Sequence, residues 1–238
     1  MKLHIVKYSR RSKMIFPFDT IQHSNEVEKL VMQGDKRRYY RFRYAKFYGG
    51  IITADAVGCN LLCAYCWNYS RNLDQSRYGE FYSPPEVAGK LLELSEKKRC
   101  SKFRISGAEP ILGKASALHL ADVISLVDGS FVIETNGVML GADSTLIEIL
   151  RPLPHIHVRL CVKAHDGADF EKITGAKAEG FSYQLKAAEA LRKARMHYTI
   201  AVMTPFVNPR KLSLGVSEVE DLILYKSTKK YMEERGLI

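Results

Sequence analysis

From Gly49 onward, short apolar runs alternate with segments of helical spacing, and this alternation narrows the fold more than any other feature. Strands are expected at 51–57, 103–105, 131–133, 156–162 and 198–203, with a sixth at 222–224. Between them, Ser83-Pro84-Pro85-Glu86 forms a capping box with proline in the first turn, and Val87, Leu91 and Leu94 then fall on one face. Helical spacing recurs at 115–127 through Leu118, Val123, Leu126 and Val127, near 144–150, over about 183–195, and in a last helix ending near Arg235. The first 35 residues read as irregular apart from a short helix at 25–33. Strands alternating with helices argue for right-handed βαβ units around a parallel sheet, an α/β fold. Such sheets gather their chemistry at the carboxyl ends of the strands. Three unusual segments each follow a strand: a cysteine loop, Gly107-Ala108-Glu109-Pro110, and Glu134-Thr135-Asn136-Gly137. They should therefore meet at one rim.

The cysteine loop, Cys59-Asn60-Leu61-Leu62-Cys63-Ala64-Tyr65-Cys66, has the pattern C-x3-C-x2-C. Five cysteines in 238 residues, three of them within eight positions, are unlike a disulfide framework. Thiolates are soft ligands suited to zinc or to iron–sulfur clusters. A structural zinc site usually recruits a second cysteine or histidine pair. Here Cys100 and Cys161 stand alone and the histidines are scattered. Three clustered thiolates leave one metal position open for a further ligand. The competing reading is a zinc knuckle with a remote fourth ligand.

With this loop following a first strand, and Tyr65 preceding the third cysteine, the chain resembles the radical S-adenosylmethionine (SAM) superfamily from about Gly49 to its end. Cys-Asn-Leu-Leu-Cys-Ala-Tyr-Cys-Trp-Asn is most similar to the branch that activates glycyl-radical enzymes such as pyruvate formate-lyase. The resemblance implies a partial (β/α)6 barrel over residues 49–238, preceded by a basic N-terminal extension over 1–48. It also implies a [4Fe–4S] cluster on Cys59, Cys63 and Cys66, with SAM chelating the open iron. Gly107, Ala108, Glu109 and Pro110 stand where the family accepts hydrogen bonds from the SAM ammonium, Ala108 replacing a glycine. Glu134 and Asn136 stand in its ribose-binding segment. Tyr65, Lys163 and the backbone of Val202 complete the implied SAM contacts. Arg159, Cys161 and Lys163 share a strand face. Cys161 occupies the place of an aspartate in the activating branch, and on its own reads as a small core residue. Near the end, Leu224-Tyr225-Lys226 replaces a Leu-Pro-Tyr-His-like stretch. The span between Pro205 and Glu218 is too short for a full helix, so the end of the barrel is expected to be abbreviated.

In this resemblance a ferredoxin- or flavodoxin-like donor reduces the cluster, SAM is cleaved, and a 5′-deoxyadenosyl radical abstracts hydrogen from a substrate. Three substrate classes are open: a protein, as for an activating enzyme; a small molecule, as for 7-carboxy-7-deazaguanine synthase; or RNA. An iron–sulfur electron carrier that never cleaves SAM is the alternative of another class. The formal net charge of +10 favours anionic partners. Six basic and six aromatic residues interleave over 36–48 without an acid, and Arg41-Phe42-Arg43-Tyr44 alternates with period two, as an extra edge strand would. Outward arginines on that strand would contact an anionic macromolecule. No apolar run is long enough to span a membrane, and the N-terminus lacks the apolar core of a secretory signal, so the cytoplasm is the expected compartment.

Overall fold

The computed structural model describes residues 5–7 and 13–238. The rest of the N-terminal stretch, on which part of the signal-peptide expectation rests, lies outside the described residues. In chain order the elements begin with β1 (Ile5–Lys7), β2 (Lys13–Ile15), α1 (Thr20–Val31), β3 (Met32–Gln33), β4 (Lys36–Ala45), β5 (Ile51–Ala56), α2 (Tyr69–Leu73) and β6 (Glu80–Tyr82). They continue with α3 (Pro84–Lys98), β7 (Lys102–Ser106), α4 (Lys114–Ser125), β8 (Ser130–Thr135), α5 (Val138–Ala142), α6 (Thr145–Leu150) and β9 (Ile156–Val162). The last are α7 (Gly167–Thr174), α8 (Glu179–Lys193), β10 (Tyr198–Thr204), β11 (Glu218–Asp221) and α9 (Lys226–Glu234).

Six strands, β5, β7, β8, β9, β10 and β11, pair in parallel in that spatial order. This is the open, partial (β/α)6 barrel that the strand–helix alternation implies. On the outer face of the sheet, Phe103, Ile105, Phe131, Ile133, Val158 and Leu160 pack under the helices as one apolar core. At Gly141 an added Cβ would fall 1.8 Å from the carbonyl oxygen of Tyr183, so α5 and α8 pack backbone to backbone. The inner face carries Asp55, Arg104, Glu134, Arg159 and Cys161 at alternate positions, which gives the barrel a charged interior.

Three expectations change. First, β4 is a strand, but it lies inside the sheet, antiparallel to β5, with β3 and β6 also paired to it. Its arginines are not free outward cations. Arg37 is fully buried, Arg38 sits over the Phe81 ring and bonds the carbonyls of Tyr78 and Gly79, and Arg41 and Arg43 turn inward to Asp55. Second, the sixth parallel strand is Glu218–Asp221, and residues 222–225 are coil. The cause is electrostatic: Glu218 and Glu220 reach Arg159 at 2.6 and 2.9 Å. Third, α1 begins at Thr20, five residues before the expected start, because Asp19 caps it through the amides of Ile21 and Gln22. Between β10 and β11 only a short 3₁₀ turn, Pro209–Lys211, interrupts the coil, so the barrel end is abbreviated as expected.

Candidate active site

The cysteine loop leaves β5 through Val57 and Gly58. At Gly58 φ is +98°, and an added Cβ would lie 2.9 Å from both Val27 and Val31, so α1 presses on the loop backbone. The amides of Leu62 and Ala64 donate to the carbonyls of Thr174 and Ile173 at 3.0 and 2.9 Å. Those carbonyls belong to the last turn of α7, where a helix has no acceptor partners of its own. Thr20 Oγ1 donates to the carbonyl of Asn60 at 3.0 Å. Pinned at three points, the loop holds its side chains with little freedom.

Cys59, Cys63 and Cys66 are free thiols and line one cavity of about 680 Å³. Three free thiols around an open cavity suit a cluster with one uncapped metal. Burial raises the Cys59 thiol, with Glu109 adding to it, and burial pushes Cys66 up to about 11. A metal must therefore displace these protons as it binds.

The Gly107–Glu109 segment lies across from the loop. Gly107 has φ +77°, and its carbonyl accepts from Asn68 Nδ2 and Asn72 Nδ2. The Glu109 amide donates to the Gly58 carbonyl at 3.0 Å, which ties this segment to the cysteine loop. From β4, the Arg37 guanidinium bonds the carbonyls of Glu109 and Pro110. The Glu109 carboxylate accepts from the Ile111 amide (3.2 Å), Thr135 Oγ1 (2.6 Å) and the Asn136 amide (2.8 Å). Burial nevertheless pushes it up to about 7 against those three bonds.

At the end of β8, Glu134 Oε1 accepts from Arg104 Nη1 at 2.7 Å and from the Tyr48 hydroxyl at 2.5 Å. Oε2 makes no hydrogen bond to any described residue. Asn136 Nδ2 donates to Asn60 Oδ1 at 2.7 Å and lies 3.9 Å from Cys59 Sγ. Arg159 and Cys161 on β9, and Lys163 just after it, all line the cavity, so Cys161 is half-buried at its wall rather than enclosed in the core. Arg159 Nη1 lies 3.2 Å from Cys161 Sγ. The Lys163 ammonium makes no ion pair or hydrogen bond with a described residue. Tyr65 lines the cavity and is backed by Phe206, stacked on it at 5.0 Å and 10°.

Of the residues expected at the site, Cys59, Cys63, Cys66, Tyr65, Gly107, Ala108, Glu109, Glu134, Asn136 and Lys163 line this cavity. Pro110 lies beneath it on Arg37. The Val202 side chain is buried in the outer core, and its neighbour Met203 lines the cavity instead. Sequence reasoning passed over Asn60, Asn72, Asp55 and Arg104 as site residues, and it turned Arg37, Arg41 and Arg43 outward. The available signal was a charged residue flanked by apolar ones within a strand: Asp55 between Ala54 and Ala56, and Arg104 between Phe103 and Ile105.

Comparison with known proteins agrees with this geometry. A probable GTP 3′,8-cyclase from Methanococcus aeolicus is 26% identical over 147 residues, 60% of this chain and 47% of that protein. The chain thus spans about half the length of that curated relative. Streptococcus suis SuiB bound to S-adenosylmethionine shares the fold, with a TM-score of 0.56 at 14% identity over 88% of this chain and 46% of SuiB. TYW1 with a lysine–pyruvate adduct aligns with a TM-score of 0.48 at 16% identity over 64% of this chain and 55% of that one. The model of the radical SAM superfamily matches residues 55–213, from the last turns of β5 to beyond β10. The match runs through all three rim segments, and this chain belongs to the radical SAM superfamily.

Proposed function

We propose that this chain is a SAM-cleaving radical enzyme acting on a small molecule held inside the partial barrel. Membership of the superfamily brings a [4Fe–4S] cluster and SAM as cofactors. The reading rests on one observation: three free thiols share a cavity of about 680 Å³ with an unpaired Lys163 and a charged barrel interior. That volume is of the size usual for small-ligand sites, about 300–1,000 Å³, and has to admit the cluster and SAM. Similarity to a probable GTP 3′,8-cyclase, whose name gives a nucleotide as substrate, supports a small molecule over a protein or RNA.

When bound and reduced, the cluster supplies the electron that breaks SAM to a 5′-deoxyadenosyl radical. Cys59, Cys63 and Cys66 hold the cluster, and the bonds from Leu62 and Ala64 to α7 keep their loop in place. Lys163 offers an ammonium to the carboxylate of SAM. With the Gly107 and Glu109 carbonyls taken by Asn68, Asn72 and Arg37, the Ala108 backbone would accept from the SAM ammonium, while the Glu109 carboxylate fixes the Thr135–Asn136 turn. Glu134 Oε2 is available to the ribose hydroxyls. Tyr65, backed by Phe206, and Met203 would keep water from the reacting atoms. A ferredoxin or flavodoxin delivers the electron.

The experiment is anaerobic reconstitution followed by dithionite and SAM. About four irons per chain, as a [4Fe–4S] cluster requires, and release of 5′-deoxyadenosine are expected. Cys63→Ala should abolish both, whereas Cys100→Ala retains them. Stoichiometric zinc without sulfide overturns the assignment, and a reducible cluster that never cleaves SAM makes the chain an electron carrier. A second reading, an activating enzyme, is favoured by Cys-Asn-Leu-Leu-Cys-Ala-Tyr-Cys-Trp-Asn; it requires a glycine-bearing peptide, rather than a small molecule, to stimulate 5′-deoxyadenosine release.

A further inference from the structure

Inside the barrel, charges pair unevenly. Arg104 has Glu134, and Arg159 has both Glu218 and Glu220. On the β4 side a single carboxylate serves two arginines. Arg41 Nε and Arg43 Nε both reach Asp55 Oδ2 at 2.6 Å, and Arg43 Nη2 reaches Oδ1 at 3.1 Å. The Asp55 side chain is fully buried, so nothing further can neutralise the pair through it. The register explains the arrangement: Arg41 lies opposite Asp55, and Arg43 opposite Thr53, on the inner face of the β4–β5 ladder.

Two guanidinium groups on one carboxylate leave one uncompensated positive charge facing the cavity, which both arginines line. Arg41 uses only Nε on Asp55, and its Nη1 and Nη2 make no hydrogen bond to any described residue. Its Cζ lies 5.6 Å from the ring centroid of Tyr40 and 5.9 Å from that of Trp67. Trp67 also lines the cavity, directly after the third cysteine. A guanidinium held at Nε by Asp55, its side chain 46% exposed and both terminal nitrogens open, is a fork for a planar or tetrahedral oxyanion.

We propose that Arg41 and Arg43 bind the anionic group, a phosphate or a carboxylate, of the small-molecule substrate, with Trp67 against its adjoining part. This inference rests on the small-molecule reading above and names the substrate class of that site. The two arginines are specificity-determining residues: they hold the substrate so that its reacting carbon faces the SAM side of the cavity.

The probes are pyrophosphate and citrate, titrated calorimetrically into anaerobic, cluster-loaded, SAM-bound protein. At least one should bind with a Kd below about 1 mM, and Arg41→Gln should weaken it about tenfold or more, equivalent to about 1.4 kcal/mol. Arg43→Gln should act in the same direction. Pyrophosphate alone would identify a phosphate-bearing substrate and citrate alone a carboxylate. Arg41→Lys keeps the charge without the fork and should still lose about threefold, which covers the case in which the glutamine variant fails to fold. Near-UV circular dichroism verifies each fold. Failure of both anions to bind with a Kd below about 1 mM, unchanged binding by the folded Arg41 variants, or binding of tRNA in their place overturns the proposal. Wild-type SAM cleavage is measured separately. Cleavage without anion binding sinks only this inference; anion binding without cleavage sinks only the enzymatic reading.

Discussion

Glu109 makes the pH dependence of stability a direct readout of the site. Its carboxyl is buried, and burial outweighs three accepted hydrogen bonds to raise it from about 4.5 to about 7. In the unfolded chain it titrates at its ordinary value. Between these two values the folded chain keeps a proton that the unfolded chain has lost. Stability from this group is therefore fully present below pH 4.5, falls as pH rises, and is gone above pH 7. At about 1.4 kcal/mol per unit, the loss is about 3 kcal/mol across the window. His23 and His119 are lowered to about 4 by burial and act in the opposite sense over nearly the same range. Wild type alone would thus mask the term, and a difference is needed. Glu109→Gln is neutral at every pH but occupies the same space. Urea unfolding of the cluster-free chain, wild type against Glu109→Gln at half-unit steps from pH 5 to pH 8, should show the variant gaining about 3 kcal/mol on wild type as pH rises. A difference that stays constant, or one that moves the other way, would refute the claim that desolvation dominates this carboxyl.

Further expectations concern the packing and the loop anchors. Gly141→Ala drives a Cβ into the Tyr183 carbonyl and should cost about 1–3 kcal/mol or more, seen as a lower urea midpoint with an unchanged slope; a midpoint equal to wild type would mean that α5 and α8 separate freely. Arg37→Lys retains the charge but cannot reach both the Glu109 and Pro110 carbonyls, so about 2 kcal/mol of stability should be lost, together with weaker SAM binding by equilibrium dialysis. Tyr48→Phe removes one of two donors to Glu134 and should lower stability by about 1 kcal/mol, whereas an unaltered melting curve would show the contact to be incidental.

The strands that carry apolar residues toward the helices were legible. β9 was read at 156–162, where it is found, because Val158, Leu160 and Val162 alternate with polar neighbours that face the cavity. The rim was legible for a related reason: each motif follows a strand, and parallel strands deliver their ends to one side. β11 was not legible, since its inward residues are Glu218 and Glu220, and their partner Arg159 lies 59 and 61 positions away. The apolar 222–224 run drew the expectation instead, yet Ile223 and Leu224 are more than half exposed. α7 carried its own signals, an Asp166 cap and a left-handed Gly175 at its end, which apolar spacing alone did not reveal. The inward turn of Arg41 and Arg43 depends on the β4–β5 register, a long-range pairing that alternation cannot supply; period two says only that they share a face.

The barrel never closes: β11 ends the sheet, four residues long, with no described strand beyond it. An exposed strand edge invites another chain to add to it, the usual start of aggregation. Here the two acids that face the interior, Glu218 and Glu220, are tied to Arg159, and Asp221 follows them. A strand from a second molecule would have to lie beside three carboxylates on a very short template. A short edge strand carrying Glu218, Glu220 and Asp221 is a poor template for such pairing, while Val219, Ile223 and Leu224 beside them leave more than half of their apolar surface open on the same side of the fold.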